Sequence, residues 1–140
     1  MWQLTVEKAT FSEIHRILAF VDQISAEAFW PEREHYFIKL AIEEACANVL
    51  EHTYAGRAGR LAISVAQDAS ALLTILVQDW GQPFDPTQVA AATSLQESLD
   101  KRTPGGLGLH FIRQIMDEVS YFRSPEGCNV LQLRKQLAPP

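Results

Sequence analysis

Two alternating segments, separated by almost nothing, constrain the fold of this chain more than any other part of it. Leu61, Ile63 and Val65 alternate with Ala62, Ser64 and Ala66, and after Asp68-Ala69-Ser70 the residues Leu73, Ile75, Val77 and Asp79 share one side of a second segment. A period of two marks a strand with one buried face. A connection this short has no room for a parallel crossover, so it predicts an antiparallel hairpin. Trp2, Leu4 and Val6 alternate in the same way, and Val119 to Phe122 and Val130 to Arg134 flank a Ser124-Pro125-Glu126-Gly127 turn as a second hairpin.

The intervening segments have helical spacing. Thr10-Phe11-Ser12-Glu13 has the pattern of a capping box, and Ile14, Ile17, Leu18, Val21, Ile24 and Ala28 follow along one face. That helix should end near Trp30, because Pro31 disfavours a helical residue before it and suits the first turn of a new helix. A second helix is predicted from about Glu32 to Tyr54, stopped by Ala55-Gly56, and a third after Pro104-Gly105-Gly106-Leu107-Gly108, carrying Leu109, Ile112, Ile115 and Met116. Gln88 to Lys101 gives no periodic signal. Helices mixed with tightly joined strands predict an α+β fold, a two-layer sandwich with helices on one face of a mixed, mostly antiparallel sheet.

At 140 residues, 47% hydrophobic and 21% charged, the sequence fits a single domain spanning residues 1–140. Its net charge of -5 gives no long-range attraction to nucleic acid or an anionic membrane, so neither is an expected partner. An anionic ligand must then be held by local devices: helix N-termini, backbone amides or a metal ion. Cys46 and Cys128 have no zinc-site spacing and read as small apolar residues. With no signal-peptide pattern and no run near the ~20 apolar residues of a membrane span, the expectation is a cytoplasmic protein.

Three features carry possible chemistry. On the second helix, Glu44, Asn48 and His52 are expected one turn apart on a stripe that also holds Phe37, Ala41 and Ala45. Burying a carboxylate and a carboxamide is costly unless they are hydrogen-bonded or meet an ion, and the small alanines leave room above them. A solvated helix face is the plainer reading of the stripe by itself. Next, Asp79-Trp80-Gly81 ends an apolar strand, where the carboxylate can face a pocket and the glycine admits a planar ligand, although Asp and Gly also favour ordinary turns. Last, Gly105-Gly106-Leu107-Gly108 opens a helix, where unpaired amides and the helix dipole suit phosphate oxygens. It is neither a Walker A loop nor a Rossmann fingerprint.

In this order, Glu44-x-x-x-Asn48, Asp79-x-Gly81 and Gly106-x-Gly108 resemble the motifs of the Bergerat-fold ATPases, the GHKL superfamily of gyrase and the histidine kinases. Within it the sequence is most similar to the anti-sigma-factor serine-protein kinases, which carry Glu-x-x-x-Asn-x-x-x-His, Asp-x-Gly-x-x-Phe-Asp-Pro and Gly-Gly-Leu-Gly-Leu before a helix ending in Met-Asp-Glu-Val. The likeness runs from about Pro31 to Leu133. It implies the histidine-kinase-like ATPase fold, ATP and Mg²⁺ as cofactors, and Glu44 as general base. By the same likeness Asn48 is the Mg²⁺ ligand through its amide oxygen, Asp79 accepts from the adenine amino group, Gly81 allows the base to approach, and Gly105-Gly106-Leu107-Gly108 form the lid and phosphate-contacting turn. His52 matches a family position and is assigned to pocket support. Lys101 or Arg102 on the lid could add positive charge beside the phosphates, but neither belongs to a motif and surface charge is the plainer reading. Ala47, Cys128 and Asn129 stand where relatives often carry hydroxyl residues, which leaves the base and the metal ligand intact but changes how the pocket is satisfied.

The implied activity is phosphorylation of a serine on an anti-anti-sigma (STAS-domain) protein in a partner-switching system, with a sigma factor as a second partner and a homodimer as the assembly. The alternative is a non-catalytic, nucleotide-gated protein that sequesters a regulatory partner. A detached histidine-kinase catalytic domain is disfavoured, because His15 falls in a capped amphipathic helix and reads as a surface residue.

Overall fold

The hairpin predicted around Asp68 is the centre of the molecule. In the computed structural model, which describes residues 1–88 and 108–137, β2 (Gly59–Gln67) and β3 (Leu72–Asp79) pair antiparallel. The connection is held by the Asp68 carboxylate, whose Oδ1 accepts from the Ser70 hydroxyl (2.7 Å) and the backbone N–H of Ser70 and Leu72 (both 2.9 Å). With β1 (Trp2–Ala9), β4 (Glu118–Arg123) and β5 (Asn129–Gln136) they form a five-stranded sheet in the order β1-β2-β3-β5-β4. Every pairing among the described residues is antiparallel, so the parallel component implied by a mixed sheet is not found there.

Register then decides which side chains meet. Ile63 lies opposite Val77, Ile75 opposite Leu133 and Val77 opposite Leu131, so the apolar sets of adjacent strands share one face. Against it pack α1 (Ile14–Ala28), α2 (Glu32–Asn48) and α3 (Gly108–Ile115), contributing Ile17, Val21, Ile24, Ile38, Ile42 and Ile112 to a single core. Each fully buried aliphatic side chain of this kind contributes about 1.5–3 kcal/mol relative to exposure. Cys46 and Cys128 are buried free thiols, consistent with their reading as small apolar residues. Burial pushes the Cys46 thiol far above its ordinary range. None of the described helices is long and apolar enough to cross a membrane.

Two local expectations are corrected. The capping box at Thr10 does not form: Thr10 Oγ1 bonds the Ser12 hydroxyl (2.7 Å), the Glu13 carboxylate takes Arg16 (3.1 Å), and residues Phe11–Glu13 make a 3₁₀ turn before α1 begins. These side-chain partners win over the helix-start amides. The α-helical part of the second helix also ends early, at Asn48 rather than near Tyr54. It continues as a π-helical turn, Val49–Thr53, closed by Tyr54 N–H to Val49 O (3.0 Å).

Candidate functional site

The π-helical turn is what shapes the cleft. A π turn inserts one residue into the helical repeat, so the spacing that carries Glu44 to Asn48 does not carry on to His52. The expected Glu44–Asn48–His52 stripe therefore breaks after Asn48. His52 is displaced from it and stacks its ring on Phe84 (centroids 5.7 Å apart, planes at 17°), while Thr53 turns inward. The cleft has a helical wall of Ala45, Asn48, Val49 and Thr53, and a sheet wall of Val77, Asp79 and Leu131. Tyr121 and Asn129 close its far side, and its cavity volume is about 20 Å³.

Asp79 ends β3 on the buried face, 3% exposed. Its Oδ1 accepts from Asn129 Nδ2 (2.8 Å) and from the backbone N–H of Gly81 (3.0 Å). Oδ2 takes part in no hydrogen bond among the described residues. Burial pushes the carboxyl above the usual aspartate range, partly offset by the Asn129 and Gly81 hydrogen bonds and by the positive charge of Arg123. A carboxylate in such a place is poised to accept from a ligand N–H, because a suitable donor relieves the cost of its desolvation.

Asn48 faces the same cleft and is 5% exposed, with Nδ2 lacking a hydrogen-bond partner among the described residues. Leaving a buried amide group unpaired costs about 1–3 kcal/mol. Its oxygen is a hard donor of the kind Mg²⁺ prefers. The described residues hold no group of three or more His, Cys, Asp or Glu able to bind a metal unaided. The donor set thus fits an ion that arrives with phosphate oxygens and water.

Glu44 lies one turn before Asn48 on α2, half-buried and outside the lining of the cleft. Burial pushes its carboxyl up, and the neighbouring Glu43 adds to the effect. Gly81 has a nearer reason for lacking a side chain than ligand approach. A Cβ there would overlap the Thr53 methyl, with Tyr54 Cε1 at 3.3 Å and Asp79 Oδ1 at 3.4 Å. Tyr54 fixes this corner, donating its hydroxyl hydrogen to Arg60 O and accepting from Trp80 N–H (3.0 Å).

The fold thus brings Asn48 and Asp79 to one cleft, Gly81 against Thr53 at its edge and Glu44 to the adjacent turn of the helix. Gly108 begins α3, whereas Gly105, Gly106, Leu107, Lys101 and Arg102 lie outside the described residues. Sequence reasoning missed Thr53 and Tyr121. It noted Asn129 only as an oddity, although that residue faces Asp79 directly in the β3–β5 register.

Residues 8–135 match the model of the histidine kinase-like ATPase domain family. The chain is 31% identical over 123 residues to the serine/threonine-protein kinase BtrW of Bordetella bronchiseptica, covering 87% of this chain and 84% of that one. It is 34% identical over 88 residues to the serine-protein kinase RsbW of Bacillus licheniformis, an alignment spanning 59% of this chain and 53% of that protein. Among solved structures, the RsbU and RsbW domains of Rv1364c from Mycobacterium tuberculosis superpose with a TM-score of 0.69 at 19% identity, over all of this chain and 34% of that one. The SiaB–SiaC complex from Pseudomonas aeruginosa gives a TM-score of 0.60 at 15% identity, covering 94% of this chain and 88% of the matched chain. At such identities the structural likenesses are ones of fold.

Proposed function

This chain belongs to the histidine kinase-like ATPase family, and from that premise we propose that it is an ATP-dependent serine-protein kinase of a partner-switching system. Its substrate is a serine of a STAS-domain anti-anti-sigma protein, its assembly a cytoplasmic homodimer, and a sigma factor its second partner. The reading is supported above all by the pairing in one cleft of two polar groups with unspent valences, the Asn48 amide and the Asp79 carboxylate, on a helix and a strand that the family motifs link.

Phosphoryl transfer needs positioning and charge neutralisation more than covalent chemistry, which suits a site this spare. Asp79 selects the nucleotide by accepting from the exocyclic amine of adenine. Asn48 supplies an amide oxygen to Mg²⁺, which when bound neutralises phosphate charge. Glu44 takes the proton of the serine hydroxyl as its oxygen forms a bond to the γ-phosphorus and the bond to the ADP oxygen breaks. A raised carboxyl pKa makes Glu44 a better proton acceptor.

The test is transfer of labelled γ-phosphate to the STAS-domain proteins that co-purify with the chain in Mg-ATP. Glu44→Gln should lower transfer by roughly 10²–10⁴-fold and leave ATP affinity within about twofold. Transfer that survives Glu44→Gln refutes Glu44 as the base, and absence of transfer to every STAS partner despite firm Mg-ATP binding refutes the kinase assignment. Partner control that persists in Glu44→Gln but vanishes in Asp79→Asn would mark a nucleotide-gated binding protein instead.

A further inference from the structure

We propose that Asn129 is the positioning residue that holds Asp79 as a pure hydrogen-bond acceptor, and that it thereby sets the choice of a 6-amino purine over a 6-oxo purine. The inference rests on the nucleotide-binding reading above and extends it to a residue of this chain where relatives often carry a hydroxyl.

The geometry leaves Asn129 a single orientation. Its Nδ2 donates to two oxygens, Asp79 Oδ1 and Gln82 O, each at 2.8 Å. Its Oδ1 accepts from the Tyr121 hydroxyl (2.6 Å), Arg123 Nη1 (3.1 Å) and Phe84 N–H (3.4 Å). Exchanging the amide's nitrogen and oxygen would set donor against donor and acceptor against acceptor, so the surroundings decide what coordinates alone usually leave open. Both amide hydrogens are spent, and Asn129 is 3% exposed. Arg123 is itself fixed by a bond from Nη1 to Gly81 O (2.9 Å), which ties the amide to the turn beyond β3.

The consequence falls on Asp79. With Asn129 and Gly81 both donating to Oδ1, that oxygen is committed. Oδ2 is left for the cleft. A carboxylate so held offers only acceptance. Adenine presents an amino donor at its 6 position, whereas guanine and hypoxanthine present a carbonyl acceptor there. An ionised Asp79 repels the carbonyl, but a protonated one donates to it. Removing the Asn129 donor deprives the buried anion of its main hydrogen bond and moves Asp79 toward the protonated form, because desolvation then acts with less opposition. A hydroxyl in the same place could donate to Asp79, but it could not also reach Gln82 and accept from Tyr121 and Arg123. The planar amide bridges all of them at once.

The charged and titratable groups that interact with Asp79 are Arg123 and Tyr121 on β4 and Tyr54 after the π-helical turn, while Asp85 beyond β3 acts on Tyr121. His52, stacked on Phe84, is a further titratable neighbour of the cleft.

The experiment measures Mg-ATP and Mg-ITP affinity by calorimetry from pH 6 to 9 for the whole chain, Asn129→Leu, Asn129→Ser and Asp79→Asn. ITP isolates the 6 position, because hypoxanthine lacks the second amino group of guanine. Asn129→Leu should lower the ATP-to-ITP affinity ratio at least tenfold near pH 7. Its ATP affinity should begin to fall at a higher pH than in the unaltered chain, while its ITP affinity rises as pH is lowered. Asn129→Ser, which keeps one donor, should lie between. The serine variant carries the test if the leucine variant does not fold. A ratio within twofold of the unaltered chain together with a superimposable pH profile overturns the proposal. So does an equal loss of both nucleotides, the mark of a merely structural role. Failure of the unaltered chain to bind ATP at all, or binding untouched by Asp79→Asn, would instead sink the nucleotide site itself.

Discussion

Gly81→Ala measures what the glycine of Asp79-x-Gly81 is for. A Cβ at Gly81 overlaps the Thr53 methyl, which must retreat by about 1 Å to reach ordinary contact. Thr53 cannot yield easily. Its β-branched side chain has few rotamers, and its backbone is in the π-helical turn closed by Tyr54 N–H to Val49 O. Overpacking of this kind costs about 1–3 kcal/mol. Against it stands a gain of about 0.4–1 kcal/mol from a stiffer unfolded chain, available because Gly81 is not among the positive-φ glycines. The net expectation for Gly81→Ala is a loss of up to about 2.5 kcal/mol from those two ranges. Thr53→Ser deletes the offending methyl. In that background the same substitution should be close to neutral or stabilising, a coupling of about 1–3 kcal/mol in a double-mutant cycle. Urea unfolding without nucleotide reads each corner of the cycle. An equal cost in both backgrounds would refute the packing argument. If the double variant recovers its stability and yet binds ATP weakly, the glycine serves the base as well as the helix.

Three further outcomes follow from the same structure. Asn48→Ala should leave stability without nucleotide within about 1 kcal/mol, since its Nδ2 makes no bond among the described residues; Mg-ATP affinity should fall at least tenfold, and a large loss of stability would count against the ligand role. Asp79→Asn should raise stability at pH 7 by about 1 kcal/mol, roughly 3 °C in Tm, while abolishing tight ATP binding. The sign comes from the raised folded-state pKa: the ionised, buried carboxylate costs stability above its pKa and the cost disappears as pH falls through it, so the advantage of the variant should shrink in acid. Asp22 behaves in the opposite way. Burial pushes its carboxyl up, but bonds from Lys39 (3.1 Å) and His35 (2.6 Å) outweigh it and hold the group below the usual range. It ties α1 to α2 with stability present at neutral pH and lost as pH falls through the depressed value, so Asp22→Asn should cost under about 1 kcal/mol at pH 7 and nothing in strong acid.

What the sequence made legible is what depends on short-range periodicity. Leu73, Ile75, Val77 and Asp79 announce a common face, and because the face is buried, the polar residue at its end stands out as one that must be satisfied. The brief link at Asp68 forces the strand direction. Glu44 and Asn48, four apart within regular helix, keep their expected relation. The capping box failed because its side chains found other partners at similar separation, Ser12 for Thr10 and Arg16 for Glu13, while the Glu13 N–H goes to Thr10 O (2.9 Å), and a four-residue pattern says nothing about competitors. Tyr121 was invisible for a different reason. It reaches the cleft only because the β4–β5 hairpin sets it opposite Leu131, and register across two strands is not written in either one alone.

The π-helical turn was hidden more deeply, and it decides the site. Nothing in Val49-Leu50-Glu51-His52-Thr53 distinguishes a π turn from an α turn, since both keep their hydrogen bonds and neither contains glycine or proline. The slip makes sense only with Gly81 in view. Turning Thr53 inward requires an empty place against β3, and the missing side chain at Gly81 is that place. Tyr54 then spans from Arg60 O to Trp80 N–H and holds the turn in position. A motif on a strand thus fixes the winding of a helix far from it in sequence, and a substitution at either Gly81 or Thr53 should be read through the other.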